Sequence, residues 1–201
     1  LDFRRQRQMC IRDRENGGIE NECVSMEELS IDEGIRQDAD MSTLTSLKPV
    51  FSEGGQVTAG NASQVSDGAS AVLVASEETA RRMGLPVLAR IVDYTTSGVE
   101  PSRVMSAPIP AVEELLSRNK LSVGDIGLFE HNEAFASASC SIRKHFQIPE
   151  NRFNVNGGAI SIGHPLGATG TRCLMTLVNS MRRGGHDLSL IHISEPTRPL
   201  E

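Results

Sequence analysis

The chain has 201 residues, 20 Lys and Arg against 26 Asp and Glu for a formal net charge of −6, and 38% hydrophobic residues. The apolar content is typical of a globular protein, and the acidic balance argues against nucleic acid as a partner, because a basic face supplies most of that affinity. No apolar run is long enough to span a membrane, so we expect no membrane partner.

The four cysteines favour a reducing compartment. They lie at positions 10, 23, 140 and 173 and form neither a C-x-x-C pair nor a disulfide framework. Cys140 and Cys173 fall on apolar-looking faces of predicted helices, where a free cysteine is usually an inert small hydrophobe.

The first half of the chain predicts few long elements. Residues 15–50 are polar and lack a sustained period, which indicates loops and short helices. A small-residue helix is expected over 64–70 and a buried strand over 71–75, where the run is short, apolar and β-branched. A second helix is predicted over 77–83 and should end at Gly84.

The second half predicts strands and helices in alternation. The predicted strands cover 87–94, 126–129 and 153–155, and the predicted helices cover 111–118, 133–146 and 168–183. Strands that alternate with helices indicate a layered α/β domain.

The segment 156–170 (NGGAISIGHPLGATG) presents one histidine, His164, among five glycines. Glycine permits close approaches that a Cβ would forbid, and Pro165 biases the backbone of His164 toward an extended conformation before a helix begins. An imidazole presented in this way suits a catalytic group better than a buried structural residue. The Gly-rich run has neither a P-loop lysine nor a G-x-G-x-x-G pattern, so phosphate or dinucleotide binding is not predicted.

Two further segments complete a recognisable set. Asn132 stands in the segment 130–136 (EHNEAFA), 32 residues before His164, and 57–63 (VTAGNAS) is followed by 67–71 (DGASA). The chain thereby resembles the thiolase family, which pairs N-E-A-F-A with a later N-G-G-A-I-x-x-G-H-P-x-G-A-[ST]-G. Weaker matches at 32–36, 47–51 and 108–111 keep the family order, and the likeness runs from about residue 30 to about 187.

The resemblance implies a thiolase-like layered αβαβα fold, present incompletely as the end of the first half and most of the second. Residues 15–84 would be the end of the N-terminal domain and 85–188 the C-terminal domain. Outside them the pattern stops abruptly: residues 1–14 hold five arginines, and 189–201 show no helical or strand period. We interpret both ends as non-native, read through from sequencing adapters, an interpretation that genomic DNA encoding them would contradict; a genuine disordered tail is the alternative.

The resemblance also implies an acyl-CoA C-acyltransferase, which condenses or thiolyses 3-ketoacyl-CoA reversibly. His164 would activate a nucleophilic cysteine and donate to the thioester oxygen, and Asn132 would position a water as the second donor. Fixed donors to an oxyanion are commonly the largest catalytic contribution. The alternatives are a structural histidine and a simple helix cap for Asn132.

Substrate contacts are implied at two more residues. Ser63 would contact the pantetheine of coenzyme A, with a turn serine as the alternative, and Phe135 would line the acyl pocket while also packing in the core. His131 is expected to be a neighbour of the site, and Glu133 a structural acceptor of backbone N–H bonds. We expect no cofactor beyond the coenzyme A thioester substrate and no metal, since His131, His145 and His164 lack regular ligand spacing.

The preferred activity is that of an acetyl-CoA acetyltransferase, in a homodimer or homotetramer that is cytoplasmic, or mitochondrial or peroxisomal in a eukaryote. The family's nucleophilic cysteine would precede residue 1 and its second catalytic cysteine would follow residue 188, so the 201-residue chain is expected to be inactive alone. The alternatives are a longer-chain 3-ketoacyl-CoA thiolase of β-oxidation and a non-catalytic truncated gene product.

Overall fold

The computed structural model describes residues 22–28, 34–36 and 40–192, which form helices, a pair of parallel strands and long extended connections. Among these residues the helices are α1 (Met41–Ser46), α2 (Glu77–Met83), α3 (Pro108–Arg118), α4 (Ala136–His145), α5 (Ala159–Ile162) and α6 (Leu166–Gly184), and the strands are β1 (Leu128–His131) and β2 (Ser189–His192). Short 3₁₀ turns lie at Pro101–Ser106, Val123–Asp125 and Glu150–Arg152.

Strand β1 is the centre of the second half. All four of its residues are buried, and it pairs in parallel with β2 so that Leu128 faces Ser189 and His131 faces His192. Apolar residues of helices α3 and α4 form a core with Phe129 of this strand, and α6 contacts both strands. The core cluster consists of Val112, Leu116, Ile126, Phe129, Ile142, Ile148 and Phe153.

The helix predictions in this half are confirmed, with local causes for their ends. Helix α6 begins directly after Pro165, which has no backbone N–H and therefore cannot lie inside the helix without loss of a hydrogen bond. The helix ends at Gly185, which adopts the left-handed conformation at φ 65°. Helix α2 likewise begins at the N-cap Ser76, whose side chain accepts from the Thr79 N–H, and ends at Gly84, φ 63°. Helix α4 begins later than predicted because Glu133 has a positive φ of 65°, which a right-handed helix excludes.

Three predictions in the extended segments are wrong. No helix forms over 64–70, and neither 71–75 nor 87–94 is a strand. Leu73 is 81% exposed and Tyr94 79% exposed, so these apolar runs are not buried either. A strand exists only where a neighbour supplies its hydrogen bonds, and the described part of the chain places no such neighbour beside them.

Other differences are smaller. The predicted strand 153–155 is reduced to one parallel bridge between Phe129 and Phe153. Residues 189–192, predicted to have no strand period, form β2 on the open edge of β1. Cys140 is exposed rather than on an apolar face, whereas Cys173 is buried as expected. The interpretations placed on 1–14, on 32–33 and on 193–201 lie outside the described residues.

None of the helices in the described ranges has the length and apolar character needed to cross a membrane.

Gly158 is required by a close approach between two loops. A Cβ placed there would lie 2.5 Å from Glu133 Oε2 and 2.9 Å from Asn154 Nδ2, both on fully buried side chains. We therefore expect Gly158→Ala to lower the free energy of unfolding by about 1–3 kcal/mol through overpacking. Urea unfolding followed by circular dichroism measures the change.

The matched control is Gly167→Ala in the first turn of α6, where a Cβ would meet nothing within 4 Å. Alanine favours a helix over glycine, so this variant should be as stable as the parent or slightly more stable. Equal loss of stability in both variants would contradict the crowding at Gly158.

Candidate active site

Asn132 is placed by the end of β1. It follows His131 directly, is only 1% exposed, and its backbone carbonyl accepts from the N–H of Ala159 at the start of α5 at 3.0 Å. This hydrogen bond joins the loop after β1 to the loop that carries His164. The backbone of Asn132 is thereby fixed at the junction of the two segments.

His164 lies between α5 and α6 on a backbone that only glycine can supply. Gly163 caps α5 at φ 96° and ψ 164°, outside the conformations open to residues with a Cβ, and a side chain there would also collide with Ser66. Pro165 then begins the approach to α6. The half-buried imidazole is therefore held by the chain on both sides.

A chain of hydrogen bonds fixes the tautomer of His164. The Thr169 hydroxyl donates to the Pro165 carbonyl at 2.8 Å, so its oxygen accepts from His164 Nδ1–H, also at 2.8 Å. Because a hydroxyl has one proton, this leaves Nε2 as the ring's acceptor, and it lies 3.2 Å from Asn132 Nδ2. Burial, together with the charge of Arg172, lowers the pKa of His164, which favours the neutral ring.

This arrangement has a definite chemical capability. His164 Nε2 is an available proton acceptor, since Nδ1 is committed to Thr169. Once Nε2 carries a proton, it and Asn132 Nδ2 become two adjacent N–H donors that can converge on one oxygen. The pair can thus act first as a base and then as a stabiliser of negative charge.

Ser63 and Phe135 lie beside this loop. The Ser63 N–H donates to the Ala134 carbonyl at 2.8 Å, and an antiparallel bridge joins Ala62 to Phe135. Both Ser63 and Phe135 are half-buried, and the Phe135 ring lies 6.2 Å from that of Phe51. The structure therefore brings the 57–63 segment to the loop that carries Asn132, but no hydrogen bond joins Ser63 to His164.

His131 is a buried neighbour of the site. Its Nδ1 accepts from the Glu133 N–H at 3.0 Å and lies 2.8 Å from the Ser139 hydroxyl, while its ring stacks on His192 with centroids 4.9 Å apart. Burial, and to a smaller degree His192, lowers the pKa of His131 to about 3. The ring is neutral and enclosed, as a structural group would be.

Sequence reasoning missed three groups that build the site. Thr169 orients His164, and Arg172, one turn further along α6, forms an ion pair with the buried Glu130 at 3.2 Å. Asn154 adopts φ 44°, and its Oδ1 accepts from the His131 N–H at 2.7 Å, which fixes the end of β1. The tolerance of asparagine for the left-handed conformation was the available signal for Asn154.

Cysteine and metal chemistry find little support among the described residues. Burial raises the pKa of the Cys173 thiol to about 12, which leaves it protonated. Within residues 22–28, 34–36 and 40–192, no three His, Cys, Asp or Glu side chains are grouped as metal ligands would be.

Comparison with known proteins adds family matches to this geometry. The family model described as "Thiolase, C-terminal domain" matches residues 85–197, and that described as "Thiolase, N-terminal domain" matches residues 18–78. The chain is 47% identical to 3-ketoacyl-CoA thiolase 5, peroxisomal, of Arabidopsis thaliana over 79% of its own length and 35% of the relative's. It is 42% identical to a probable acetyl-CoA acyltransferase of Staphylococcus epidermidis, over 76% of the chain and 39% of that protein.

Solved structures agree with the sequence matches. Human mitochondrial 3-ketoacyl-CoA thiolase in complex with CoA superposes with a TM-score of 0.85 at 38% identity, covering 90% of this chain and 47% of that one. The acetyl-CoA acetyltransferase of Bacillus anthracis gives 0.86 at 36% identity, covering 91% and 48%. The dimeric peroxisomal thiolase of Saccharomyces cerevisiae gives 0.80 at 37% identity, covering 88% and 46%. The chain thus spans less than half the length of each.

Replacing Thr169 by valine should release the tautomer of His164. The variant keeps the shape of the side chain but removes the acceptor of the Nδ1 proton, so the ring should populate the Nε2–H form as well. The ¹⁵N chemical shifts of the two ring nitrogens report this directly. Thr171→Val, on the same helix, is the control and should leave the shifts unchanged; unchanged shifts in Thr169→Val would contradict the assigned chain of bonds.

The burial of His131 makes stability depend on pH. Its pKa in the folded chain is about 3, below the ordinary value near 6.5. Between these two pH values the unfolded chain therefore binds more protons than the folded chain. Stability should therefore fall as pH drops from 6.5 toward 3, by about 2 kcal/mol at pH 5 from this group. Urea midpoints across pH measure the slope, which His131→Asn should reduce. Part of the slope should remain, because burial also lowers the pKa of the stacked His192 to about 4. An unchanged slope in His131→Asn would contradict the prediction.

Proposed function

Because the chain belongs to the thiolase family, we propose that it is the catalytic His–Asn half of an acyl-CoA C-acyltransferase that thiolyses or forms 3-ketoacyl-CoA. The observation that carries the proposal is the 3.2 Å contact between Asn132 Nδ2 and His164 Nε2, with the proton of the ring directed away to Thr169. No other group in the described part of the chain combines a committed imidazole with a buried amide in this way.

In the proposed reaction His164 Nε2 takes the proton of a nucleophilic cysteine thiol. The thiolate attacks the ketone carbon of the 3-ketoacyl-CoA, and the carbon–carbon bond then breaks, which leaves an acyl-enzyme and the enolate of acetyl-CoA. The imidazolium Nε2–H and a water held by Asn132 stabilise the enolate oxygen. Both cysteines of this scheme, the nucleophile and the one that protonates the enolate carbon, would come from segments of the family architecture beyond this chain.

The remaining site residues have proposed roles in binding. Ser63, held beside Ala134, would contact the pantetheine of the coenzyme A thioester, and Phe135 would line the acyl pocket. The human neighbour solved with CoA and the dimeric yeast neighbour support a coenzyme A substrate and an assembly of two or more copies. We propose no further cofactor, and a cytoplasmic location, or a mitochondrial or peroxisomal one in a eukaryote.

Two candidate activities differ in the acyl chain length of the substrate. We propose acetyl-CoA acetyltransferase activity, supported by the acetyl-CoA acyltransferase and acetyltransferase names among the relatives. Activity on longer 3-ketoacyl-CoA is the second candidate, because the relative that is 47% identical carries the name 3-ketoacyl-CoA thiolase. Rates on acetoacetyl-CoA and on a longer 3-ketoacyl-CoA distinguish them.

The proposal is tested in a chimera that replaces the matching segment of the B. anthracis enzyme with residues 57–187 of this chain. The chimera should thiolyse acetoacetyl-CoA. His164→Ala should lower kcat by about 10²–10⁴-fold through loss of the base, and Asn132→Ala by about 10²–10³-fold through loss of the amide that holds the oxyanion-stabilising water.

Two controls accompany the chimera. His186→Ala, outside the proposed site, should retain the activity, and the 201-residue chain alone should show none. A chimera that folds with a cooperative thermal transition but loses no activity in His164→Ala would contradict the proposed role of His164. Thiolysis by the 201-residue chain that His164→Ala abolishes would contradict the expectation that this chain is inactive alone.

A further inference from the structure

Asn132 lies between two residues whose backbone N–H groups are held by side chains. The His131 N–H donates to Asn154 Oδ1 at 2.7 Å, and the Glu133 N–H donates to His131 Nδ1 at 3.0 Å. The Asn132 carbonyl accepts from the Ala159 N–H at 3.0 Å. The peptide group that follows Asn132 is therefore held on both sides, by its oxygen and by its nitrogen.

The bond from Glu133 to His131 closes a turn that the residue types alone do not predict. A side chain that accepts the N–H two residues later has the geometry of an Asx turn, which asparagine and aspartate usually form. Here the Nδ1 atom of a histidine stands where the Asx oxygen would. Such a turn needs support, because Glu133 has a φ of 65°, a left-handed conformation that a residue with a Cβ keeps only when its surroundings hold it there.

The same contact fixes the ring proton of His131. A backbone N–H can only donate, so Nδ1 must offer its lone pair, and the proton of the neutral ring stands on Nε2. The Ser139 hydroxyl lies 2.8 Å from this nitrogen and can donate to it as well, which ties the turn to helix α4. Burial, which lowers the pKa of His131 to about 3, keeps the lone pair free of a proton at neutral pH.

His131 can act on the site through the backbone that it holds. The Cα–Cβ bond of Asn132 takes its direction from the peptide group on each side, and one of these groups carries the N–H bound by His131. Asn132 Nδ2 reaches His164 Nε2 at 3.2 Å, a distance that a small rotation of the turn would change. In the proposed reaction the same amide holds the oxyanion-stabilising water, and misplacement by about 1 Å can cost about 10²-fold in rate.

We propose that His131 is a positioning residue for Asn132: its Nδ1 holds the turn at Glu133, and the turn keeps the Asn132 amide against His164. This role belongs to a buried histidine that neither takes nor gives a proton in the proposed reaction. The inference rests on the proposed function for its use in catalysis. The hydrogen bond and the position of the amide are properties of the folded chain and are measured without turnover.

The hydrogen bond is tested first by NMR in the unaltered 201-residue chain. An N–H···N bond transmits a scalar coupling, so a ¹⁵N–¹⁵N coupling should join the Glu133 backbone nitrogen to His131 Nδ1. The ring ¹⁵N shifts should place the proton on Nε2. The ring signals of His131 are assigned from their loss in His131→Asn. A proton on Nδ1, or no coupling between the two nitrogens, overturns the inference.

Two substitutions then separate the acceptor from the ring. His131→Asn keeps an acceptor where Nδ1 stands, since asparagine forms the same turn, whereas His131→Leu keeps apolar bulk without an acceptor. The shifts of the Asn132 side-chain amide and of His164 Nε2 should stay as in the parent in His131→Asn and move in His131→Leu. In the chimera, His131→Leu should lower kcat by about tenfold to hundredfold with KM within about twofold, and His131→Asn should keep kcat within about threefold.

A structural role alone predicts the opposite order, because asparagine is the smaller residue and leaves the larger cavity. Shifts or kcat values that His131→Asn disturbs as much as His131→Leu therefore overturn the inference. If His131→Leu does not fold, His131→Phe keeps an aromatic ring without an acceptor and should give the same result. His145→Leu, at the exposed end of α4, is the matched control and should change neither the shifts nor kcat.

The two measurements separate this inference from the proposed function. An inactive chimera, with the expected coupling and shifts in the 201-residue chain, supports the positioning of Asn132 by His131 and counts against the proposed function. An active chimera in which His131→Leu and His131→Asn have equal kcat supports the proposed function and overturns the positioning role.

Discussion

The hydrogen bond between Asn132 and His164 joins two segments that are 32 residues apart, and the surrounding structure can be understood as what holds its two ends in place. One end is Asn132, which directly follows the buried strand β1. The backbone there is fixed by the bond from the His131 N–H to Asn154 Oδ1 and by the bond from the Ala159 N–H to the Asn132 carbonyl. The other is a loop whose course depends on Gly163. Both ends are held by contacts outside the pair, so the 3.2 Å distance depends on the surrounding packing.

This packing buries an unusual number of polar groups at the end of β1. Glu130, His131, Asn132 and Glu133 are consecutive and are all at most 4% exposed. Buried polar groups carry a desolvation cost that only partners can offset, and here the partners come from three other segments: Asn154, the α5 start and α6. A strand that served only to fill a core would end in apolar residues. The polar composition at this position is explained by the site rather than by the core.

The sequence was sufficient to select His164 and Asn132 as candidates, but it did not reveal the residues that hold them. His164 and Asn132 stand in long motifs whose residue types are chemically distinctive, and helices α3, α4 and α6 follow from apolar spacing with proline and glycine at their ends. Thr169 and Arg172 look like ordinary residues of a helix, because their importance arises only when α6 lies against His164 and Glu130. The segments 71–75 and 87–94 were wrongly predicted for a different reason. Their composition is typical of buried strands, but a segment becomes a buried strand only when neighbouring elements cover it and pair with it. Residues 189–192 pair with β1 despite a weak pattern, since a ladder is formed by backbone groups that every sequence carries.

The charges around His164 are consistent with the proposed role of its imidazole as a base. An imidazole accepts a proton only in its neutral form, and a carboxylate in contact with the ring would shift its pKa toward the protonated form. The hydrogen-bond partners of the His164 ring are an amide and a hydroxyl, both neutral. Arg172 stands one helical turn after Thr169, in contact with Glu130. Neutral partners at both ring nitrogens favour an uncharged imidazole at the start of the proposed reaction, and the proton that Nε2 then gains would face the oxygen on which negative charge develops.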